Sequence, residues 1–300
     1  MPRRKQIASP NSTSKLRPEK LLTDLSDNAL AAAVELNSTE RLRLEGRLPW
    51  VELHEDDDAL WIFAGDSWPR NQVALARFTA ATAQRRVGEI LAAHLENRVA
   101  CNWIVGPLSQ PENLGEHLRA HGFKCMIHCA GLACDLARLP ESPPIPEGVT
   151  LRMVDDPPSL DPLTTERRRL RLKGRQAMMR AKPRRVWYFA ANVNGKPVGE
   201  TTLCAGAGVA GVYDVVVLEK FRRGGIGTAL VHAALTEARG RLGYRAAVLA
   251  ATGMGLGVYA RLGFRKVCQL SFWKYGKMRQ HRNAVKALLS TLQTFGNGQT

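Results

Sequence analysis

One stretch of the sequence decides the fold of the second half of the chain: Val215-Val216-Val217-Leu218-Glu219-Lys220-Phe221-Arg222-Arg223-Gly224-Gly225-Ile226-Gly227-Thr228. The apolar run predicts a buried strand, the glycines a tight turn, and the spacing from Ile226 to Arg241 a helix. Backbone N–H groups at such a turn point outward together, and the helix N-terminus adds partial positive charge. The stretch therefore predicts a loop that can hold a pyrophosphate.

The residues of this loop were compared with three other patterns, of which one remains open. An ordinary helix start with a glycine turn gives the same pattern. A P-loop is excluded, because no Lys followed by Ser or Thr comes after the final glycine. A dinucleotide fingerprint is not convincing either, because the Gly-x-Gly-x-x-Gly spacing is absent.

The loop and a second segment together resemble the GNAT superfamily of acetyl-CoA-dependent N-acetyltransferases. The Gln/Arg-x-x-Gly-x-Gly/Ala signature of that family is matched by Arg222 to Gly227. A short predicted helix ending in Tyr-x-x-x-Gly-Phe is matched further on by Tyr259 to Phe264. The resemblance covers residues 149–275. Leu218 departs from it, because the family often has proline before the acidic residue.

The resemblance implies a splayed pair of central strands with the pantetheine arm of CoA between them. It also implies that a bulge in the first of these strands frees an N–H to polarise the thioester carbonyl. No metal is expected. The predicted acetyl-CoA-binding residues are Val215, Val216, Val217, Arg222, Arg223, Gly224, Gly225, Ile226, Gly227 and Thr228.

Two residues are predicted to be catalytic. Tyr259 is a candidate general acid for the departing CoA thiolate, with packing in the core as the alternative. Asp214 is a candidate general base for the acceptor ammonium, and a solvated or structurally hydrogen-bonded carboxylate is its alternative. Adjacent strand positions point to opposite faces, so Asp214 cannot share a face with Val215.

Composition limits the class of protein. The chain has 300 residues, of which 45% are hydrophobic and 23% charged, which is typical of two globular domains. No apolar run approaches the roughly 18–20 residues that a membrane span needs. No apolar segment follows the basic start of the chain, so a secretory signal is not predicted. Six cysteines indicate reduced thiols. We therefore expect a cytoplasmic protein without a membrane contact.

The net charge is distributed unevenly along the chain. Residues 1–20 carry a net charge of +5, residues 21–148 carry −7 and residues 149–300 carry +18. Any anion that the protein binds is therefore expected on the second half.

The predicted fold class is α+β, with two GNAT-like domains that each have a mixed, mainly antiparallel central sheet flanked by helices. The sequence predicts a disordered basic tail (1–20), a degenerate GNAT-like domain (21–138), a proline-rich linker (139–148), a catalytic GNAT domain (149–276) and a C-terminal extension (277–300). The boundary rests on four prolines within ten residues, which neither a helix nor a central strand can accommodate.

An internal repeat suggests what the first half is. His121-Gly122-Phe123-Lys124-Cys125 echoes Leu262-Gly263-Phe264-Arg265-Lys266 at an offset of 141 residues. At that offset the phosphate loop falls near residues 81–86, which read Ala-Thr-Ala-Gln-Arg-Arg and contain no glycine. The first half thus resembles a GNAT copy without a cofactor site, so one CoA per chain is expected.

Two further clusters have competing interpretations. Cys125, His128, Cys129 and Cys134 lack the usual zinc spacing, so either buried thiols or a metal site is possible. Ten basic residues lie within 167–185, where no acidic residue occurs. They indicate a solvated helix face, an electrostatic funnel for CoA or an acidic acceptor, or a nucleic-acid surface.

The sequence therefore predicts an acetyl-CoA-dependent N-acetyltransferase that acts on a primary amine of a small molecule or peptide. The competing class is a non-catalytic acyl-CoA-sensing or nucleic-acid-binding module that retains the fold. Retention of Tyr259 beside a complete loop favours the enzyme.

Overall fold

The computed structural model describes residues 20–66, 68–160 and 165–275. The predicted C-terminal extension and residues 1–19 of the predicted tail lie outside the described residues. The helices are Asp27–Glu45 (α1), Ala83–Glu96 (α2), Leu114–Ala120 (α3), Thr165–Arg180 (α4), Ile226–Gly240 (α5) and Leu256–Arg261 (α6). The strands are Glu52–Glu55 (β1), Leu60–Phe63 (β2), Gln72–Ala74 (β3), Asn102–Val105 (β4), Lys124–Asp135 (β5), Val149–Val154 (β6), Val186–Val193 (β7), Lys196–Gly206 (β8), Val209–Val217 (β9), Ala246–Ala251 (β10) and Arg265–Lys274 (β11).

All the strands form one mixed sheet in the order β1-β2-β3-β4-β11-β5-β10-β9-β8-β7-β6. Most neighbouring pairs are antiparallel, and the two parallel pairs are β3–β4 and β9–β10. Each parallel pair is connected by a helix, α2 in the first half and α5 in the second. This agrees with the predicted α+β class and a mixed, largely antiparallel sheet flanked by helices.

The last strands of the two halves are exchanged. β11, from the end of the second half, lies between β4 and β5 of the first half. β5 in turn pairs with β10 of the second half, from Ala130↔Ala251 to Asp135↔Ala246. The proline-rich linker thus separates the halves along the chain, while the sheet runs through both. The predicted domain boundaries remain a prediction.

Helices cover both faces of the sheet around β9 and β10. Val248 of β10 packs with residues of α1, such as Leu30 and Val34. Its neighbours Ala247 and Leu249 point to the other face and join the core cluster that contains α5. α1 and α5 therefore lie on opposite faces, as the period of two in a strand requires.

The strand exchange leads to a prediction for a chain divided in the linker. Residues 1–144 and residues 145–300, expressed separately, should each fail to unfold cooperatively. β10 loses its β5 partner, and β11 loses both of its partners, which leaves long unpaired edges. Circular dichroism melting of each fragment and of their mixture tests this, with a full chain nicked after folding as the control. A cooperative melt of fragment 145–300 alone would show that the second half is an independent domain.

Candidate active site

β9 and β10 diverge at their C-terminal ends. Their pairing is limited to Ala210↔Ala247 and Gly211↔Val248, so β9 has no partner on β10 from Val212 onward. Val215, Val216 and Val217 are half-buried along this opening. This is the splayed pair of strands that the resemblance implies.

A bulge in β9 lies at the start of the opening. The register with β8 shifts between Glu200 and Thr202, so that Asp214 and Val215 have no Cα partner on β8. Asp214 has a φ of +51°, which is uncommon for a residue other than glycine. The resemblance implies a bulge in this strand, and the register confirms it.

The bulge changes which side chains share a face. Val215 packs against the α5 core cluster, opposite Asp214, as predicted. Tyr213 and Asp214, however, both contact α1. The Tyr213 hydroxyl donates to Asn37 Oδ1 at 2.6 Å, and the Arg41 guanidinium donates to Asp214 Oδ2 at 3.1 Å. The strict alternation assumed from the sequence fails at this residue, because a bulge inserts one extra residue into the pleat.

The glycine-rich loop connects the end of β9 to α5. Gly225 caps the helix with a φ of +86°, a conformation that favours glycine. The first intrahelical bond is donated by the Ala229 N–H to the Gly225 carbonyl at 3.0 Å. The N–H groups of the first turn therefore have no intrahelical acceptor, as at any helix start.

Packing within the chain does not explain the other loop glycines. A Cβ placed on Gly224 would come no closer than 4.0 Å to its neighbours, and one on Gly227 no closer than 3.6 Å. Both distances are ordinary van der Waals contact. A side chain at either position would instead fill the space over the loop, where a ligand could approach the backbone. The loop thus fits a diphosphate.

The two arginines of the loop differ in their surroundings. Arg222 Nε donates to the Val217 carbonyl at 2.9 Å and so ties the loop to the end of β9. Arg223 is exposed and has a φ of +64°. Ile226 and Thr228 are both buried, so of these two residues only the backbone is available to a ligand.

Tyr259 lies on α6 and is half-buried against the same core cluster as Val215 and Val217. Its ring makes an edge contact with Phe264, with the ring centroids 5.8 Å apart. Burial raises the pKa of the phenol to about 12. The phenol is therefore protonated at neutral pH and can donate a proton or a hydrogen bond.

Asp214 faces three guanidinium groups. Arg41 lies 3.1 Å from its carboxylate, Arg171 3.5 Å and Arg175 3.6 Å. These charges outweigh the effect of burial and hold the pKa of Asp214 far below its usual range. A carboxylate stabilised in this way has little tendency to take a proton. The geometry therefore disfavours Asp214 as a general base and favours the structural alternative.

The arginines also hold a second, deeper carboxylate. Glu200 of β8 is 2% exposed and accepts hydrogen bonds from both terminal nitrogens of Arg175, at 3.0 and 3.1 Å. Arg41 also pairs with Glu45 one turn further along α1. Three arginines and three carboxylates thus form a buried network between α1, α4 and the bulge. Of these, only Asp214 belongs to the predicted site. Arg171 and Arg175 lie in the basic run 167–185, and no local motif indicated Arg41, Glu45 or Glu200.

Asp214→Asn should lower the free energy of unfolding by about 3 kcal/mol at pH 7, because it leaves buried arginines without their partner. The folded pKa of Asp214 lies below the unfolded value of about 3.9. Its stabilising contribution is therefore present above that value and is lost as the pH falls below it. Urea unfolding across pH 3–7 measures this contribution to the free energy of unfolding. Asp155→Asn, at an exposed position, is the control. If the difference in unfolding free energy between Asp214→Asn and the wild type does not change with pH, Asp214 is not the ion-pair partner described here.

The basic run from 167 to 185 does not form one surface. Arg171, Arg175 and Arg185 are buried against the sheet. Others, among them Arg168, Arg169 and Arg180, are exposed on α4. Part of the run therefore belongs to the network beneath the site, and the rest remains a candidate surface for an acidic partner.

The first half differs at the position that corresponds to the loop. The Thr79 N–H donates to Thr82 Oγ1 and the Thr82 N–H to Thr79 Oγ1, both at 3.2 Å, just before α2. The opening beyond β3 and β4 is also closed, because the Phe78 N–H donates to the Gln110 carbonyl and the Gln110 N–H donates to the Ala76 carbonyl. Hydrogen bonds within the chain thus close this turn and join the segments that follow β3 and β4.

The cysteine–histidine cluster lies on β5. Cys129 and Cys134 are buried, and burial raises the pKa of both thiols. Within the described residues, no group of three His, Cys, Asp or Glu side chains is placed to hold a metal ion.

No described helix has the length and apolar character of a bilayer span.

Comparison with known proteins supports the interpretation of the second half. Residues 151–264 match the sequence model of the Acetyltransferase (GNAT) family. No curated protein matches the sequence. Residues 151–264 are therefore similar in sequence to the GNAT acetyltransferase domain.

Solved structures extend the similarity over the fold. A GCN5-related N-acetyltransferase from Kribbella flavida is 19% identical, with a TM-score of 0.60 over 81% of this chain and 96% of that one. A tandem GNAT protein from the clavulanic acid biosynthesis pathway is 18% identical, with a TM-score of 0.56 over 85% and 96%. A GCN5-related N-acetyltransferase from Sphaerobacter thermophilus is 17% identical, with a TM-score of 0.54 over 83% and 91%. These coverages exceed the range 151–264, so the likeness in fold includes much of the first half.

Proposed function

We propose that the protein is an acetyl-CoA-dependent N-acetyltransferase that acetylates a primary amine by direct attack on the thioester. The observation that carries the proposal is the juxtaposition of three features in residues 209–228. The opening between β9 and β10, the bulge at Asp214 and the glycine-rich start of α5 follow one another along the chain.

In this proposal the loop from Arg223 to Thr228 binds the pyrophosphate of acetyl-CoA. Backbone N–H groups of the first turn of α5 donate to the phosphate oxygens, and the helix dipole favours the negative charge. Gly224 and Gly227 leave room for this approach. The net charge of +18 on residues 149–300 attracts the anion.

The exposed edge of β9 then binds the pantetheine arm. Val215 and Val216 offer backbone groups that β10 does not pair. The bulge leaves Asp214 and Val215 outside the ladder with β8, so an N–H at this point can polarise the thioester carbonyl. Arg222 already binds the Val217 carbonyl, so that carbonyl is a poorer candidate.

The reaction forms a bond between the amine nitrogen and the acetyl carbon and breaks the bond from that carbon to sulfur. Tyr259 donates a proton to the departing thiolate. The proton that the acceptor nitrogen gives up passes to solvent water, and Tyr259 regains a proton from solvent. Asp214 acts as a positioning residue, because it anchors Arg41 and the α4 arginines to the bulge.

We further propose that the first half is a GNAT-like copy without a cofactor site. The order of its elements, the parallel β3–β4 pair and the closed threonine turn before α2 support this. A non-catalytic acyl-CoA sensor is less well supported, since it does not require Tyr259.

A screen of CoA release tests the proposed function. Acetyl-CoA is mixed with the protein and with polyamines, amino acids, aminoglycosides or peptides, and the free thiol and the acetylated amine are measured. We expect thiol release that depends on one class of amine. Thermal stabilisation by acetyl-CoA without any transfer would instead favour the sensor.

A further inference from the structure

A second bulge lies in the first part of β5, where this strand pairs with the end of β11. The register with β11 shifts between Ile127 and Cys125, so that Met126 has no Cα partner on β11. In a regular strand, Cys125 and His128 would point to opposite faces of the sheet. The extra residue changes the alternation at this point and brings both side chains to one face.

The thiol of Cys125 and the imidazole of His128 are in contact. Cys125 Sγ lies 3.5 Å from His128 Nε2 and 3.9 Å from the Ile127 carbonyl oxygen. On the other side of the ring, Nε2 of Gln269 on β11 lies 3.1 Å from His128 Nδ1. A nucleophilic atom, a base and a side chain that orients the base therefore lie in one row across two strands. This arrangement is typical of an activated nucleophile.

The Gln269 amide sets the protonation of the ring. An amide side chain can present its nitrogen or, after half a turn, its oxygen to the imidazole. The oxygen accepts the Nδ1–H of His128, and Nε2 then takes the proton of the Cys125 thiol. The imidazolium that forms donates to the sulfur and stabilises the thiolate, which is the reactive form of cysteine.

The charges of the two strands also favour a thiolate. β11 contains no acidic residue, and β5 contains only Asp135, at the end that pairs with β10. Lys124, next to Cys125 in the chain, pairs with Lys274 of β11. The charged side chains on these strands that are nearest to Cys125 in the register are therefore positive, and positive charge stabilises an anion.

The surroundings of Cys125 differ from those of the other five cysteines. Cys125 is half-buried beside the exposed His128, so a small reagent can reach the sulfur. Four cysteines are buried, namely Cys101, Cys129, Cys134 and Cys204. Cys268 is half-buried too, but it packs against the core cluster that contains residues of α1, and burial raises the pKa of its thiol to about 11. We therefore expect one thiol to react before the others.

We propose that Cys125 is a redox modification site, which forms a mixed disulfide with a low-molecular-weight disulfide such as glutathione disulfide. The Cys125 thiolate attacks one sulfur of the reagent. A bond forms between Cys125 Sγ and that sulfur, the S–S bond of the reagent breaks, and its electron pair leaves with the other sulfur. The thiol proton, held meanwhile by His128, passes to the departing thiolate. The site is separate from the proposed acetyl transfer and does not depend on it.

Glutathione disulfide is the probe for the wild-type protein. The folded full chain is incubated with it at about pH 7, the reaction is stopped with acid, and the modified peptides are identified by mass spectrometry over time. The adduct should form on Cys125 before any other cysteine. This result is obtained without a variant and so does not depend on how a variant folds. Earlier modification of Cys268, or equal rates at several cysteines, would overturn the proposal.

Variants then test the role of the imidazole. A free thiol is only a few per cent thiolate at pH 7, so a fully stabilised thiolate reacts at most about 30-fold faster. His128→Gln should therefore slow the modification of Cys125 about 10-fold, and Gln269→Leu should slow it by a smaller factor.

The controls for these variants are Cys268→Ser and His117→Ala, both at half-buried positions, which should leave the rate at Cys125 unchanged. Melting temperatures show whether each variant is folded. An unchanged rate in folded His128→Gln would show that the imidazole does not activate the thiol and would contradict the proposal.

Discussion

Gly225→Glu should abolish the rise in melting temperature that acetyl-CoA gives the wild-type protein. At a ligand concentration of a hundred times Kd, linkage stabilises the folded state by about 2.7 kcal/mol. For a chain of 300 residues that corresponds to about 4 °C. The new side chain would place a negative charge and extra volume at the N-terminus of α5, where the phosphates are proposed to bind. Differential scanning fluorimetry with and without acetyl-CoA measures the effect.

The control must carry the same backbone strain. Gly225 has a φ of +86°, so any replacement costs about 1–2 kcal/mol in the folded state. Gly195 in the β7–β8 turn has a φ of +74° and open space around it. Gly195→Glu should therefore lower the melting temperature of the free protein similarly and keep the response to acetyl-CoA. If acetyl-CoA raises the melting temperature of Gly225→Glu as much as that of the wild type, acetyl-CoA binds at another site.

Tyr259→Phe should lower kcat about 10- to 1000-fold and leave acetyl-CoA binding nearly unchanged, as the loss of a general acid does. The phenol pKa of about 12 implies that Tyr259 stays protonated from neutral pH to about pH 10. The rate of the wild type should therefore not fall across this range through titration of Tyr259. Steady-state kinetics of thiol release measures both expectations.

Tyr275→Phe is the matched control for this variant. Tyr275 is also half-buried and packs against an aromatic ring, that of Phe123, but in the core cluster of the first half. Its replacement should leave kcat unchanged. If kcat of Tyr259→Phe equals that of the wild type, Tyr259 packs in the core and is not the general acid.

Local patterns predicted the elements of the fold well. The apolar run from Val215 to Val217 lies in β9, and the helix predicted from Ile226 to Arg241 is α5, Ile226–Gly240. The glycine-rich turn and α5 follow from the loop residues alone. The short strand β3 was missed, because three residues give too little periodicity to detect.

Pairing over long distances could not be predicted. The exchange of β5 and β11 depends on which strand edges meet, and neither strand encodes its neighbour in its own apolar pattern. The charges around Asp214 also depend on contacts between residues that are far apart in the sequence. Arg41 is 173 residues away along the chain and reaches the bulge only because α1 packs across the sheet. A sequence motif around Asp214 therefore suggested a base, while the folded surroundings make it an ion-pair partner.

Isothermal titration of the full chain with acetyl-CoA counts the cofactor sites directly. We expect one site per chain, because among the described helices α5 has the open glycine-rich start, whereas Thr79 and Thr82 close the turn before α2 in the first half. A stoichiometry of one in the wild type and no heat of binding in Gly225→Glu is the expected result. Two equivalent sites per chain, or one site that survives Gly225→Glu, would contradict it.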